Sequence, residues 1–382
     1  MAISRTAPTE DRMRTDWAEV ARELAPRFAA RAAAHDAGDT FVADNYAELR
    51  ERRLFSAGVP AELGGGGASH AEMCDVLRQL AHGCSSTALA LAMHTHQVLI
   101  PAWRWRHERA PVEPFLRRVA AEELILVTSG GSDWLAGSGR AERVEGGYRI
   151  TARKRFASGA PAGDLFMTMA IHDDPGEGPT VLHVAIPLGA PGVTIHDNWR
   201  TLGMRATGSH DVTLDGVFVP DAAVGGRRPA GRWSPVWHVV ATIALPLIYS
   251  VYVGVAEAAR DIALGEAARR RDDAETQEDV GAMDVELAAA RMALRSMIDA
   301  ANGERMGPEI TNQVVVGRTL AGRAAIRTVE AALEVARGAG FFRALGLERL
   351  FRDVQAARYH PMRGAAQRRY TGRLALGLDV NE

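Results

Sequence analysis

The chain has 382 residues, is 47% hydrophobic and 24% charged, and carries a formal net charge of −2. That length allows two or three domains with a sizeable core, and the lack of a basic excess excludes an electrostatic nucleic-acid binder or a polybasic lipid anchor. The two cysteines, Cys74 and Cys84, lie ten residues apart on a helical stretch, too far for a disulfide and without zinc-site spacing, so they read as small core residues. Met1 to Glu10 contains no apolar segment of the signal-peptide kind, and a cytoplasmic protein is expected.

Residues 12–57 are rich in Ala, Arg, Glu and Leu. Trp17, Val20, Ala21, Leu24, Ala25 and Phe28 form one apolar stripe at helical spacing. Asp39-Thr40 can cap a second helix running through Leu54. Gly64 to Gly67 form a loop; no strand precedes them and no Gly-Lys-Ser/Thr follows, so a phosphate cradle is not expected. Ser69 caps a helix from His70 to His82, and Ser85-Ser86-Thr87 open another to about Trp105. His70 and His82 read as exposed helix residues. Residues 1–122 are therefore a helical domain.

The pattern changes at Glu123. Leu124–Val127, Gly146–Ala152, Leu165–Ile171, Val181–Pro187, Pro191–Ile195 and Val212–Val219 read as strands separated by Gly/Pro/Asp turns. Asp215-Gly216 reads as a bulge or tight turn. Residues 123–232 form a central antiparallel β domain. Residues 233–382 return to helix: 233–271, 284–302, 309–338, 347 to about 364, and 367–377, an up-and-down bundle. Val236 to Val255 is the longest apolar run; Pro246 in its middle and the absence of anchoring charges favour a buried core helix over a membrane span. The fold class is α+β, with helical, β and helical-bundle regions in that order.

Six motifs in sequence order carry a resemblance. They are Val59-Pro60-Ala61-Glu62-Leu63-Gly64-Gly65; Thr128 to Asp133; Gly147 to Gly159 with Lys154, Phe156 and Ser158; Gly203-Met204-Arg205 leading to Val219-Pro220; Gly338-Ala339-Gly340-Phe341; and Leu347 to Asp353. The set resembles the acyl-CoA dehydrogenase flavoproteins over essentially the whole chain. The resemblance implies FAD held between the β domain and the bundle, often with help from a neighbouring subunit. Phe156 would then wall the flavin ring. Ser158, two residues on along the same strand face, would meet its N5 edge. Thr128 and Ser132 would serve its pyrimidine end and pyrophosphate, and Gly338 and Gly340 would form the cofactor turn. Arg205 either pairs with an acid at the domain junction or faces flavin or substrate. His210 reads as a hydrogen-bonding loop residue. A homotetramer would follow, with the helical stretches 251–263 and 287–300 as interface.

The departures bear on the chemistry. The family's proton-abstracting glutamate has two usual positions; Pro361 occupies one and Ala244 marks the other. The basic motif after the first bundle helix is reduced to Arg269-Arg270-Arg271-Asp272, and Glu334 replaces a glutamine. His360, beside the empty position, and His94 and His96 on the helix facing the substrate space are candidates to replace the base. Three readings stay open. One is an FAD-dependent dehydrogenase-type oxidoreductase acting on a small molecule such as an acyl-CoA, with an electron-transfer flavoprotein as partner. The second is a monooxygenase of the same fold that takes reduced FMN from a flavin reductase and uses O2. The third is a degenerate flavin-binding module.

Overall fold

A computed structural model of the chain describes residues 15–131, 133–303 and 305–381; Ser132 and the N-terminal segment read above lie outside them. Helix α1 (Trp17–Gly38) starts at Asp16, whose carboxylate accepts the Glu19 N–H at 3.0 Å. Trp17, Ala21, Leu24 and Phe28 are its buried stripe. Asp39 does not cap a second helix. It ends α1 in a left-handed conformation (φ 49°), and α2 (Ala43–Glu51) starts after Val42. Helices α3 (His70–Gly83), α4 (Ser85–Glu108) and α5 (Glu113–Glu122) follow, α3 behind a complete Ser69/Glu72 capping box. In the glycine loop, the N–H groups of Gly65, Gly66 and Gly67 are spent on Pro60, Ser56 and Val59 carbonyls. A Cβ on Gly66 would lie 2.2 Å from the Trp17 ring, so the glycine is there for packing against α1. Both cysteines are buried and free.

Eight strands form one sheet: β1 (Leu126–Thr128), β2 (Arg140–Val144), β3 (Gly147–Ala157), β4 (Leu165–Asp174), β5 (Gly178–Pro187), β6 (Val193–Ile195), β7 (His210–Pro220) and β8 (Val224–Pro229). Their order is β6-β7-β3-β2-β4-β5-β8, with β1 beside β4. The sheet is largely antiparallel, but β1 and β2 meet β4 in parallel. Two strands escape sequence reading because they carry little apolar alternation: β2 is Arg-Ala-Glu-Arg-Val, and β8 is Val-Gly-Gly-Arg-Arg-Pro. The bulge is real. Ile150 pairs with Val217 and Ala152 with Leu214, leaving Asp215-Gly216 as the extra width, with Gly216 at φ 60°.

The bundle comprises α6 (Pro235–Ala267), α7 (Ala274–Ala301), α8 (Pro308–Ala336), α9 (Leu347–Val354) and α10 (Gly364–Ala375). Helix α7 starts earlier than its apolar pattern suggests, because Asp273 accepts the Thr276 N–H at 3.1 Å and caps it. Helix α9 stops earlier and passes through a 3-10 turn over Gln355–Arg358; Pro361 cannot continue a helical ladder. Helix α6 is the one described helix apolar and long enough to cross a membrane, and 94% of that window is buried in protein. The stretch 251–263 expected to supply an oligomer interface is spent inside the protomer. Val251, Tyr252, Val255, Ala259 and Ala263 are fully buried, and Leu287, Ala290 and Met297 of α7 are buried in the same core. The N-terminal helices and the bundle share this core, while the sheet has its own, built on Tyr148, Ile150, Phe166 and Leu214.

Candidate active site

The loop Thr201–Ser209, which leads into β7, is fixed where the three regions meet. A Cβ on Gly203 would lie 2.2 Å from the Arg352 carbonyl, so only glycine lets the loop rest on the end of α9. Met204 then takes a left-handed conformation (φ 55°) and donates its N–H to the Asp353 carboxylate at 2.5 Å. Asp353 also accepts the Ser85 hydroxyl at the start of α4. Arg352 grips Asp36 of α1 through two nitrogens at 3.0 and 2.6 Å. Arg205 pairs with Asp39, the junction role of the two expected for it. His210 accepts the N–H groups of Asn198 and Trp199, each at 3.2 Å, and so shapes the approach to the loop.

Next to this junction, β3 ends in an unusual surface. Phe156 is 53% exposed and follows the exposed Arg155, so the strand's alternation of buried and exposed residues breaks at its end. Its ring meets Trp199 edge-on, centroids 4.9 Å apart, and Trp199 is held by donating its indole N–H to the Met204 carbonyl at 3.0 Å. Ser158 is not on the strand as expected. It lies in the turn just past Ala157, before Gly159 (φ 78°). Its hydroxyl meets Ser209 at 2.8 Å, and Ser209 meets Thr207 at 2.6 Å. An open aromatic face bordered by a chain of hydroxyls suits a flat heterocycle with a polar edge, which is what a flavin ring presents. Thr128 lies on β1, accepts the Gln97 amide N–H at 3.3 Å and donates to the Ser129 carbonyl at 3.2 Å. Gly338 and Gly340 form a 3-10 turn, Arg337–Phe341, that packs on α8 and α9. Phe341 beside them is 93% exposed.

The three candidate histidines separate clearly. His94 is buried, and both ring nitrogens serve the backbone. Nδ1 accepts the Leu126 N–H at 3.0 Å, and Nε2 donates to the Phe55 carbonyl at 2.8 Å. It is a strut between α4, β1 and the segment after α2, with no nitrogen left to take a substrate proton. His96 donates Nδ1–H to the Ala92 carbonyl at 3.0 Å and accepts from the Gln97 amide at 2.9 Å, which continues to Thr128. Burial lowers both histidines to about 4, so both rings are neutral near neutral pH. His360 differs. Its Nε2 meets the Tyr252 hydroxyl at 2.5 Å, and Nδ1 has no protein partner among the described residues. Burial, then the neighbouring Arg318 charge and His96, lower it to about 3. Arg318 is itself buried and donates to the carbonyls of Ala357, His360 and Met362 at 3.1, 3.0 and 2.8 Å, fixing the turn that presents His360. His70 and His82, expected at the surface, instead bind α6, at the Ile243 carbonyl (2.9 Å) and at Glu257 (3.1 Å).

Models of the acyl-CoA dehydrogenase N-terminal, middle and C-terminal domains match residues 9–121, 128–217 and 247–363. The chain belongs to the acyl-CoA dehydrogenase family. It is a flavin-dependent oxidoreductase of that fold. Among its relatives is the amino sugar nitrososynthase of Streptomyces rubradiris, 30% identical over 378 residues, spanning 93% of this chain and 88% of the relative. The dibenzothiophene monooxygenase of Rhodococcus erythropolis is 27% identical, covering 90% and 89%. The solved structure of KijD3 in complex with FMN and dTDP-3-amino-2,3,6-trideoxy-4-keto-3-methyl-D-glucose superposes with a TM-score of 0.87 at 29% identity, covering 96% of this chain and 95% of that one.

Within the family frame, both glutamate positions stay empty of acid: Ala244 is buried on α6, and Pro361 borders an open cleft. The carboxylates close by are occupied, Asp353 by Ser85 and Met204, and Asp133 by the buried Lys154 at 3.2 Å. Sequence reading missed Trp199, Thr207, Ser209, Tyr252 and Arg318. Trp199 is four residues before the Gly203-Met204-Arg205 motif and could have been suspected. Tyr252 and Arg318 lie on α6 and α8, far in sequence from His360, and no local pattern marks them.

Proposed function

We propose that this protein is a two-component flavin monooxygenase that binds reduced FMN and inserts one oxygen atom of O2 into a small-molecule substrate. The observation that carries the reading is the replacement of a base carboxylate by the His360–Tyr252 pair, the candidate pair with a ring nitrogen left open. Phe156 and Trp199 supply the wall for the flavin, and Ser158, Ser209, Thr207 and Thr128 its polar edge. When bound, reduced flavin supplies the two electrons that split O2 between the substrate and water. His360, neutral across the physiological range, takes or returns a proton at Nδ1 while Tyr252 holds Nε2.

FMN is preferred over FAD for two reasons. The relative superposing at 29% identity is described with FMN. Of the features that would hold the adenine half, the basic motif is worn down to Arg269–Asp272, and Arg270 is engaged with the Val335 carbonyl at 2.8 Å. A diffusible flavin implies a separate reductase. Assembly into a homo-oligomer, with the exposed Phe341 turn completing a neighbour's flavin site, belongs to the same reading.

The test is an anaerobic titration. Reduced FMN is expected to bind much more tightly than oxidised FMN, and 18O2 admitted to that complex is expected to label the product. Bleaching of bound oxidised flavin by an acyl-CoA, with no labelled product, would overturn the reading.

A further inference from the structure

The half-exposed positions of α4 recur at Met93, Gln97, Ile100 and Pro101, while the residues between Met93 and Ile100 other than Gln97 are buried. That spacing puts all four on one face of the helix. Gln97 is the polar member of the four. Its amide touches both sides of the candidate site. On one side it reaches His96, whose charge is among those felt at His360. On the other it reaches Thr128 at the end of β1, which stands opposite the half-buried Met167 of β4 in the sheet register. One amide is thus set among the apolar side chains of Met93, Ile100 and Met167.

A glutamine amide can be turned over without changing its shape, so its orientation is read from its neighbours. Here they leave one choice. The Ala92 carbonyl can only accept, so Nδ1 of His96 carries that ring's proton. The ring is neutral near neutral pH, which makes Nε2 a bare acceptor that needs a donor. Gln97 Nε2 supplies one N–H at 2.9 Å. The Thr128 hydroxyl spends its own proton on the Ser129 carbonyl and takes the second N–H of the same amide at 3.3 Å. Both amide hydrogens are therefore committed. Turning the amide over would set its oxygen against the lone pair of His96 and leave that nitrogen without a donor. Oε1 keeps a fixed direction, can only accept, and has no protein partner among the described residues.

We infer that Gln97 is a specificity-determining residue of the substrate wall: its fixed Oε1 accepts a hydrogen bond from an N–H or O–H of the substrate, whose apolar remainder packs on Met93, Ile100 and Met167. The chemistry recognised is a neutral small molecule that carries a hydrogen-bond donor. An ether, a sulfide or a carboxylate offers this oxygen only lone pairs or negative charge and is disfavoured. The contact lies between the His360 side and the Thr128 side, so it orients the substrate as well as selecting it. That the bound molecule is then oxygenated rests on the reading above; the acceptor rests on the hydrogen bonds around the amide.

The binding experiment uses the full chain without flavin or O2, so that it fails or succeeds independently of the oxygenase reading. Phenol, cyclohexanol and N-methylbenzamide are each titrated beside the O- or N-methyl counterpart by ligand-observed NMR. Each donor is expected to bind about tenfold more tightly than its methylated counterpart, the value of one hydrogen bond. Gln97→Met keeps the length and packing of the side chain but has no amide, and is expected to bind both members of a pair equally. An amide with a merely structural role would weaken both members alike and leave the preference standing in Gln97→Met. That result overturns the inference, as do equal binding of both members by the parent protein and binding of none of them. The parent measurement needs no variant, so it decides even where Gln97→Met does not fold. Turnover with reduced FMN and 18O2 is then measured on the same probes. A chain that keeps the preference but labels no probe keeps the Gln97 assignment and removes the oxygenase reading; labelled product with equal affinities does the reverse.

Discussion

The Asp353 carboxylate accepts the Met204 N–H across 149 residues of sequence at 2.5 Å, and the same carboxylate holds Ser85 at the start of α4. One buried acid thus ties the loop before β7, the helix carrying His94 and His96, and the helix leading to His360. Burial raises its pKa, and the hydrogen bonds from Ser85 and Met204 partly offset that rise. Asp353→Ala is expected to cost on the order of 3 kcal/mol, since it leaves two buried donors unpaired. Denaturant unfolding measures this, and Asp353→Asn, which keeps an acceptor, should lose less.

His360 and His94 should give opposite phenotypes. His360→Ala is expected to lower turnover by roughly a hundred- to ten-thousand-fold, at a stability cost of about 1 kcal/mol from leaving the Tyr252 hydroxyl unpaired. Tyr252→Phe should lower it by about tenfold, the value of one hydrogen bond to the ring. His94→Ala should instead cost about 2–3 kcal/mol of stability by orphaning the Leu126 N–H and the Phe55 carbonyl. Turnover per folded molecule and urea midpoints, measured together, separate the two. A His94 variant of normal stability and no activity would return that residue to the chemistry.

The pH dependence of stability follows from the same burial. His70, His94, His96 and His183 are lowered from 6.5 to about 4, and His360 to about 3. Between these values and 6.5 the unfolded chain binds the protons and the folded one does not. Their contribution is therefore complete above about pH 6.5 and is lost as pH falls toward 4. Unfolding free energy measured from pH 8 to 4 should fall steeply below 6.5, with proton uptake on unfolding. A flat profile would contradict the neutral assignments. Because His360 stays neutral down to about 3, the turnover profile should show no inflection from it near 6.5.

Flavin affinity should depend on the end of β3. Phe156→Ala removes the open ring face and is expected to weaken reduced FMN binding by about tenfold. Ser158→Ala, with Ser209 and Thr207 still in place, should have a smaller effect. Equilibrium dialysis under anaerobic conditions measures both. An unchanged affinity in the Phe156 variant would move the flavin away from this wall.

By itself the sequence determined the order of regions, the buried nature of α6, the loop at Gly203–Arg205 and the missing carboxylate at Pro361. These are local facts. A Gly-Met-Arg loop, a capping Ser69 or an absent side chain is written at its own position. Only the tertiary structure decided which histidine is open. His94, His96 and His360 look alike as candidates in the sequence, yet packing gives His94 two backbone partners, gives His96 to Ala92 and Gln97, and leaves Nδ1 of His360 uncommitted. It also moved Ser158 off the strand, joined Tyr252 to His360 across 108 residues, and set the Gln97 amide between His96 and Thr128. A hydrogen-bond partner or a facing charge is set by how distant helices and strands meet, and no periodicity in the chain records that contact.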